Sequence, residues 1–263
     1  MNTMLDSGYA LVLLKVGLAP IIIAFVSLAE RWFGRGIAGS LLGLPVVSGP
    51  LLVCLTFQHG AAFATQAARG SVMGQLALAT FALAYAYCAQ ERRWLLSGSV
   101  AIAIYLIVSV TLLKVGLNPA MTLITVFLLL GLALLLFPRP RVEGGRGRKA
   151  SAREIALRML TAGSIVFLLA SMAQLLGPDV SGLLASLPVY SGVLAVFNHI
   201  KSSASAVSML KGVVVGASGT AAFSGVLMLG LTVVPIAVCF ALAVCSAVGV
   251  QALLYPNLKR STT

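Results

Sequence analysis

Long apolar runs follow one another along almost the whole chain, and the breaks between them are only a few residues long. The hydrocarbon core of a bilayer is about 30 Å thick and takes about 20 apolar residues per crossing helix. Runs of that order cover residues 9–30, 37–57, 61–88, 94–113, 118–137, 156–176, 181–199, 204–230 and 232–255. The breaks fall at Glu30-Arg31 with Arg35, Gln58-His59-Gly60, Glu91-Arg92-Arg93, Gly116 to Pro119, residues 138–153, Gly177-Pro178-Asp179, Asn198 to Ser203, and the uncharged turn near Gly230. Only 9% of residues are charged, against roughly 25% in soluble domains. The expectation is an all-α integral membrane protein of about nine transmembrane helices.

The formal charge of +12 would suit a nucleic-acid binder if it lay on one face. Here the basic residues gather in short loops, which is how membrane proteins retain loops in the cytoplasm. No nucleic-acid partner is expected. The hydrophilic segment 138–155, with Arg139, Arg141, Arg146, Arg148, Lys149 and Arg153, reads as a flexible cytoplasmic linker. It separates residues 1–137 from residues 156–263. The loops with Arg31 and Arg35, with Arg92 and Arg93, and with Lys201 fall on the same side, as does the Lys259-Arg260 tail; Lys114 is the exception. The N-terminus is then outside and the C-terminus cytoplasmic, in the plasma membrane or bacterial inner membrane. Asp6 and Lys15 do not suit a signal peptide, so the first apolar run is expected to be retained. Cys54, Cys88, Cys239 and Cys245 all lie in apolar runs without metal-ligand spacing.

The chain repeats itself. Residues 41–49 read Leu-Leu-Gly-Leu-Pro-Val-Val-Ser-Gly and residues 184–192 read Leu-Ala-Ser-Leu-Pro-Val-Tyr-Ser-Gly, with Pro45 matching Pro188 at an offset of 143 (188 − 45). The register runs back to Lys15 and Arg158. After one gap it runs forward to Arg69-Gly70-x-x-x-Gly74 and Lys211-Gly212-x-x-x-Gly216, at 142 (211 − 69). Chance matches between apolar sequences scatter over Leu and Val and rarely align Pro, Ser, Gly and basic residues together. Helices 1–4 would match helices 6–9, joined by helix 5 and the basic loop. A displacement of five helices reverses direction, so the repeats would be inverted about an axis in the membrane plane, as in many secondary transporters. A second echo, Leu-Leu-Lys-Val-Gly-Leu-x-Pro at 13–20 and 112–119, fits neither register.

In architecture this plan resembles the inverted-repeat carriers of the bile-acid/sodium-symporter type. Repeats in those carriers have five helices each, so the second half here would lack its last. Their ion sites use acidic and polar residues around crossing broken helices. No residue role is carried over.

Proline inside a helix removes a hydrogen bond and kinks or breaks it. Pro45 and Pro188 precede Ser48-Gly49 and Ser191-Gly192, about 15 Å into their spans at 1.5 Å per residue. Freed carbonyls, amides and a hydroxyl there would form a polar spot in a dry environment, although a serine can also bond back to its own helix. Arg69 and Lys211 each lie about 12 Å into a helix, where a cation costs at least about 2.5–3.5 kcal/mol unless it snorkels. No carboxylate in the spans is placed to neutralise them, which points to an anionic ligand in a shared central cavity. Gly70, Gly74, Gly212 and Gly216 would allow helices 3 and 8 to pack closely. His59 and His199, at the ends of two spans, read as interfacial hydrogen-bonding groups, with proton coupling as the alternative because histidine titrates near neutral pH.

No paired carboxylates, Ser-His-Asp set or phosphate loop appears in the sequence, so an enzyme is not expected, nor a cofactor or a metal. The sequence therefore reads as a secondary carrier moving a small anionic or carboxylate-bearing solute by alternating access. Pro45, Ser48, Gly49, Pro188, Ser191 and Gly192 would supply the binding backbone, with Arg69 and Lys211 as charge partners. A flippase for lipid headgroups and a non-transporting scaffold are the alternatives. Membrane lipids are expected partners, with a homodimer as one option.

Overall fold

The computed structural model describes residues 20–42, 45, 48–114, 117–139, 150–176 and 188–259. Among them the chain forms ten helices and no strand. These are α1 (20–33), α2 (Arg35–Leu42), α3 (Ser48–His59), α4 (Ala61–Cys88), α5 (Trp94–Lys114), α6 (Pro119–Leu135), α7 (Ala152–Leu176), α8 (Val189–Lys201), α9 (Ser203–Gly230) and α10 (Ile236–Lys259). Lys15, the echo at 13–19, most of the basic linker, the break at 177–179 and the motif residues 184–187 lie outside the described residues.

Four helices, α4, α5, α9 and α10, are long and apolar enough to cross a membrane; α6 is apolar but shorter, at 17 residues. Their burial differs sharply. In α9 the apolar stretch is 89% buried, whereas in α5 and α10 it is 17% buried. The peripheral helices turn residues such as Ile107, Leu242 and Leu253 outward. Exposed apolar surface on this scale is a liability in water, but lipid covers it at no cost. Hydroxyls are satisfied inside their own helices, as where Thr56 donates to the Leu52 carbonyl (2.7 Å), Thr111 to Ile107 (2.8 Å) and Ser218 to Val214 (3.1 Å). That back-bonding lets a helix carry serine and threonine where water is absent.

The core is the pair α4 and α9, with α2, α6, α8 and α10 around α9 and α3, α5 and α6 around α4. Contacts along α6 fix the relative directions. Arg69, near the start of α4, donates to the Leu117 carbonyl just before α6, and Tyr87, near its end, donates to the Leu136 carbonyl just after it (2.7 Å). Helices α4 and α6 are therefore parallel. On α9 the order is reversed: the late residue Gly225 meets the Leu123 side chain at the start of α6, and His199, just before α9, lies 3.3 Å from the hydroxyl of Tyr85 near the end of α4. So α9 runs antiparallel to α4, and Ser224 donates to Ser71 across the pair (2.9 Å).

The apolar run 37–57 is not one continuous helix. It breaks around Pro45 into α2 and α3, as expected of a proline that can neither donate to the preceding turn nor fit beside it. The two pieces follow α9 in order: Gly39 lies against Met209 and Val213, and Gly49 lies near Phe223. The closest helix crossing differs from expectation. Gly212 meets the Gly36 carbonyl and the Ser40 amide of α2, whereas among the described residues nothing comes within 4 Å of a Cβ placed at Gly70 or Gly74. Small residues do permit the approach, but the partner of α9 there is α2, whose Arg35-Gly-Ile-Ala-Gly-Ser-Leu-Leu sequence is small on the facing side.

Candidate functional site: two broken-helix motifs and an ion network

The two copies of the proline motif make one equivalent backbone hydrogen bond each. Gly49 N–H donates to the Pro45 carbonyl and Gly192 N–H to the Pro188 carbonyl, both at 2.8 Å. Each glycine also packs on an aromatic ring of the other half of the chain. A Cβ at Gly49 would stand 3.7 Å from the Phe223 ring, and one at Gly192 would stand 3.8 Å from the Phe81 ring. Phe81 and Phe223 are 142 residues apart (223 − 81), and the two glycines 143 (192 − 49). The contacts are thus reciprocal.

Ser191 is buried and Pro188 half-buried; Pro45 is likewise half-buried at the break between α2 and α3. Helix α3 begins at Ser48 and α8 at Val189, each inside the fold, and their far ends, His59 and Lys201, lead directly into α4 and α9. Because α4 and α9 start at opposite faces, the N-termini of α3 and α8 point inward from opposite faces. Phe81 and Phe223 each lie about 10 Å beyond the middle of their 28-residue helices. The motif copies therefore sit on either side of the centre instead of meeting there.

The structure separates Arg69 and Lys211 as well. Arg69 reaches the Leu117 carbonyl before α6, with its Nε buried and without a hydrogen bond. Lys211 lies in the third turn of α9, which starts at the opposite face from α4. Ser71, two residues past Arg69, meets Ser224, which is 13 residues (224 − 211) past Lys211 on α9, so at 1.5 Å per residue the two cations are about 20 Å apart along the helix pair. Among the described residues neither cation pairs with a carboxylate.

A polar contact at the broken helix was not foreseen. Gln251 of α10 crosses α9 at Gly219, where a Cβ would meet its Cγ at 2.9 Å, and donates to the Ser40 carbonyl in the last turn of α2 (3.3 Å). Gln251 thus ties α10 to the end of α2 just before the proline break. His199 Nδ1 lies 3.3 Å from the hydroxyl of buried Tyr85, and His59 packs on Phe63 with ring centroids 4.8 Å apart.

A charge cluster among the described residues also escaped sequence reasoning. Glu30, read as a break between spans, is turned inward. Arg158, fully buried on α7, donates to Glu30 of α1 (2.7 Å) and to Glu154 one turn earlier (2.6 Å), and lies 3.4 Å from the Ser27 hydroxyl. Its guanidinium carbon sits 5.7 Å from the centre of the Phe197 ring. Arg35 approaches Glu30 (3.6 Å) and Lys201 approaches Glu154 (2.8 Å). The available signal was the spacing of Glu154 and Arg158, which places them on one helix face. Among the described residues no three His, Cys, Asp or Glu side chains converge as metal ligands.

By fold, then, the chain is an all-helical protein whose four long apolar helices are compatible with a membrane protein. It matches no known protein-family profile, and no curated protein or solved structure proved similar to it.

Proposed function

We propose that the protein is a secondary carrier for small anionic or carboxylate-bearing solutes, built from two inverted repeats in a nine-span fold. The observation that carries this reading is the reciprocal packing of Gly49 on Phe223 and Gly192 on Phe81. Two halves related by a twofold axis must make each of their contacts twice, with the roles exchanged. Helix bounds keep the same spacing: α4 and α9 are both 28 residues long and start 142 apart (203 − 61), and α5 and α10 also start 142 apart (236 − 94). Equivalent helices α4 and α9 run antiparallel, so the axis lies in the membrane plane, the arrangement that lets exchange of the halves' conformations alternate access.

An anion suits the interior for two reasons. The N-termini of α3 and α8 point inward, and a helix N-terminus carries about half a positive charge. Among the described residues neither Arg69 nor Lys211 pairs with a carboxylate. Their separation supports distinct roles: Arg69 draws the solute in at one face, Lys211 at the other, and the motif backbones bind it between. The basic linker places the Lys211 face in the cytoplasm.

Purified protein in liposomes, offered a panel of labelled mono- and dicarboxylates and inorganic phosphate, should take up at least one of them. Arg69→Gln and Lys211→Gln should each reduce that uptake by about tenfold or more, the scale of losing one charge-assisted contact. Full uptake in both variants would leave the cations structural, and no uptake of any anion by the parent would overturn the carrier reading.

A further inference from the structure

We infer that the ion network around Arg158 is a one-sided latch that holds the two halves together at the face where α9 begins. The inference rests on the carrier reading for its meaning, but its geometry is independent. Glu30 and Ser27 on α1, with Arg35 on α2, belong to the first half; Glu154 and Arg158 on α7, with Phe197 and Lys201 on α8, belong to the second. The Arg158–Glu30 bond at 2.7 Å therefore joins the halves directly. Arg158 has no exposed surface, and Glu30 has 7% of its side chain exposed. Water cannot compete for such a pair, so its separation exposes a charge that the closed state has fully compensated.

The repeat does not reproduce this arrangement. At the repeat spacing, Glu30 corresponds to Ala173, Glu154 to Leu11, and Lys201 to His59; only Arg158 has a cationic counterpart, Lys15. Both carboxylates are replaced by apolar residues, so the same set of ion pairs cannot form at the opposite face. Two otherwise equivalent halves would favour neither direction of opening. An inter-half ion network on one side removes that balance and biases the resting protein toward closure at the α9-start face. A solute arriving from the opposite face then meets the open form more often.

Cysteine labelling tests this directly. The four native cysteines are replaced by serine, and reporters are introduced one at a time as Ala206→Cys, in the first turn of α9, or Ala64→Cys, in the first turn of α4. Both positions are fully buried and lie near opposite faces. A small charged maleimide is applied to the intact protein in liposomes and in detergent. Glu30→Gln removes the inter-half pair and leaves Arg158 bound to Glu154. It should raise labelling at Ala206→Cys by about tenfold and lower it at Ala64→Cys. The exchanged pair Glu30→Arg with Arg158→Glu should restore part of the protection. Arg158→Gln provides a second, stronger break. No increase at Ala206→Cys in either Glu30→Gln or Arg158→Gln would overturn the latch, as would an equal rise at both positions, which reports general loosening. A rise at Ala206→Cys with Ala64→Cys unmoved would support the latch and count against alternating access.

Discussion

Replacing Gly212 by alanine adds one methyl group at the crossing of α2 and α9, and the surroundings decide the sign of its effect. At an open helix position, glycine to alanine gains about 1 kcal/mol, because glycine loses more backbone entropy on folding. At Gly212 the new Cβ would overlap the Gly36 carbonyl oxygen and stand 2.9 Å from both the Gly36 carbonyl carbon and the Ser40 amide nitrogen. All three atoms are backbone, so no rotamer change can relieve the overlap, and α2 must move away by about an ångström. Overpacking of this kind typically costs about 1–3 kcal/mol, and a backbone obstacle belongs at the upper end, so the net loss after the propensity gain is about 2 kcal/mol. In a chain of this size each kcal/mol corresponds to about 2–4 °C in melting temperature. Gly212→Ala should therefore melt about 4–8 °C below the parent, by fluorescence-detected size exclusion after heating in detergent. Gly39→Ala, facing Met209 and Val213 backbone at 3.0 Å, should behave alike. The double variant should lose less than the two losses added, since one separation relieves both clashes. Gly131→Ala and Gly249→Ala, with nothing within 4 Å, should be neutral or slightly stabilised. A Gly212→Ala protein as stable as the parent would refute the close crossing.

Arg158→Met should cost about 3–5 kcal/mol, because it strands Glu30 and Glu154 partly buried without their shared cation; a melting shift of only 1–2 °C would mean the pairs are solvated. Ser224→Ala should cost about 1 kcal/mol or less, since Ser71 keeps its own helix carbonyls as acceptors; a loss several times larger would make the α4–α9 hydrogen bond a principal tie. Labelling of single cysteines at Gly145→Cys and Thr263→Cys in intact cells should report cytoplasm at both, and labelling of either from outside would overturn the proposed topology.

Patterning that depends on chain-local chemistry was legible in the sequence alone. Apolar length picked out α4, α5, α9 and α10, the four helices long and apolar enough to cross a bilayer. Pro45 marked a true break in the chain, because a missing amide disrupts a helix wherever it occurs. The repeated Pro-Val-x-Ser-Gly motif was visible as spelling, and in both copies the glycine amide donates to the proline carbonyl. Which residues would meet was a different kind of question. Nothing near Gly212 in sequence says that its neighbour is Gly36, 176 residues earlier (212 − 36), because helix crossings are chosen by whole surfaces. Arg69 and Lys211 shared a depth, but depth fixes only position along the helix. The antiparallel pairing of α4 and α9, seen where Ser224 meets Ser71, is what held the cations apart. Glu30 looked like a loop residue because a carboxylate at the end of an apolar run usually faces water. Only the arrival of Arg158 from α7 made the inward position affordable, and that pairing spans 128 residues. Local chemistry decided where the chain could bend, and tertiary packing decided which buried charges could be neutralised.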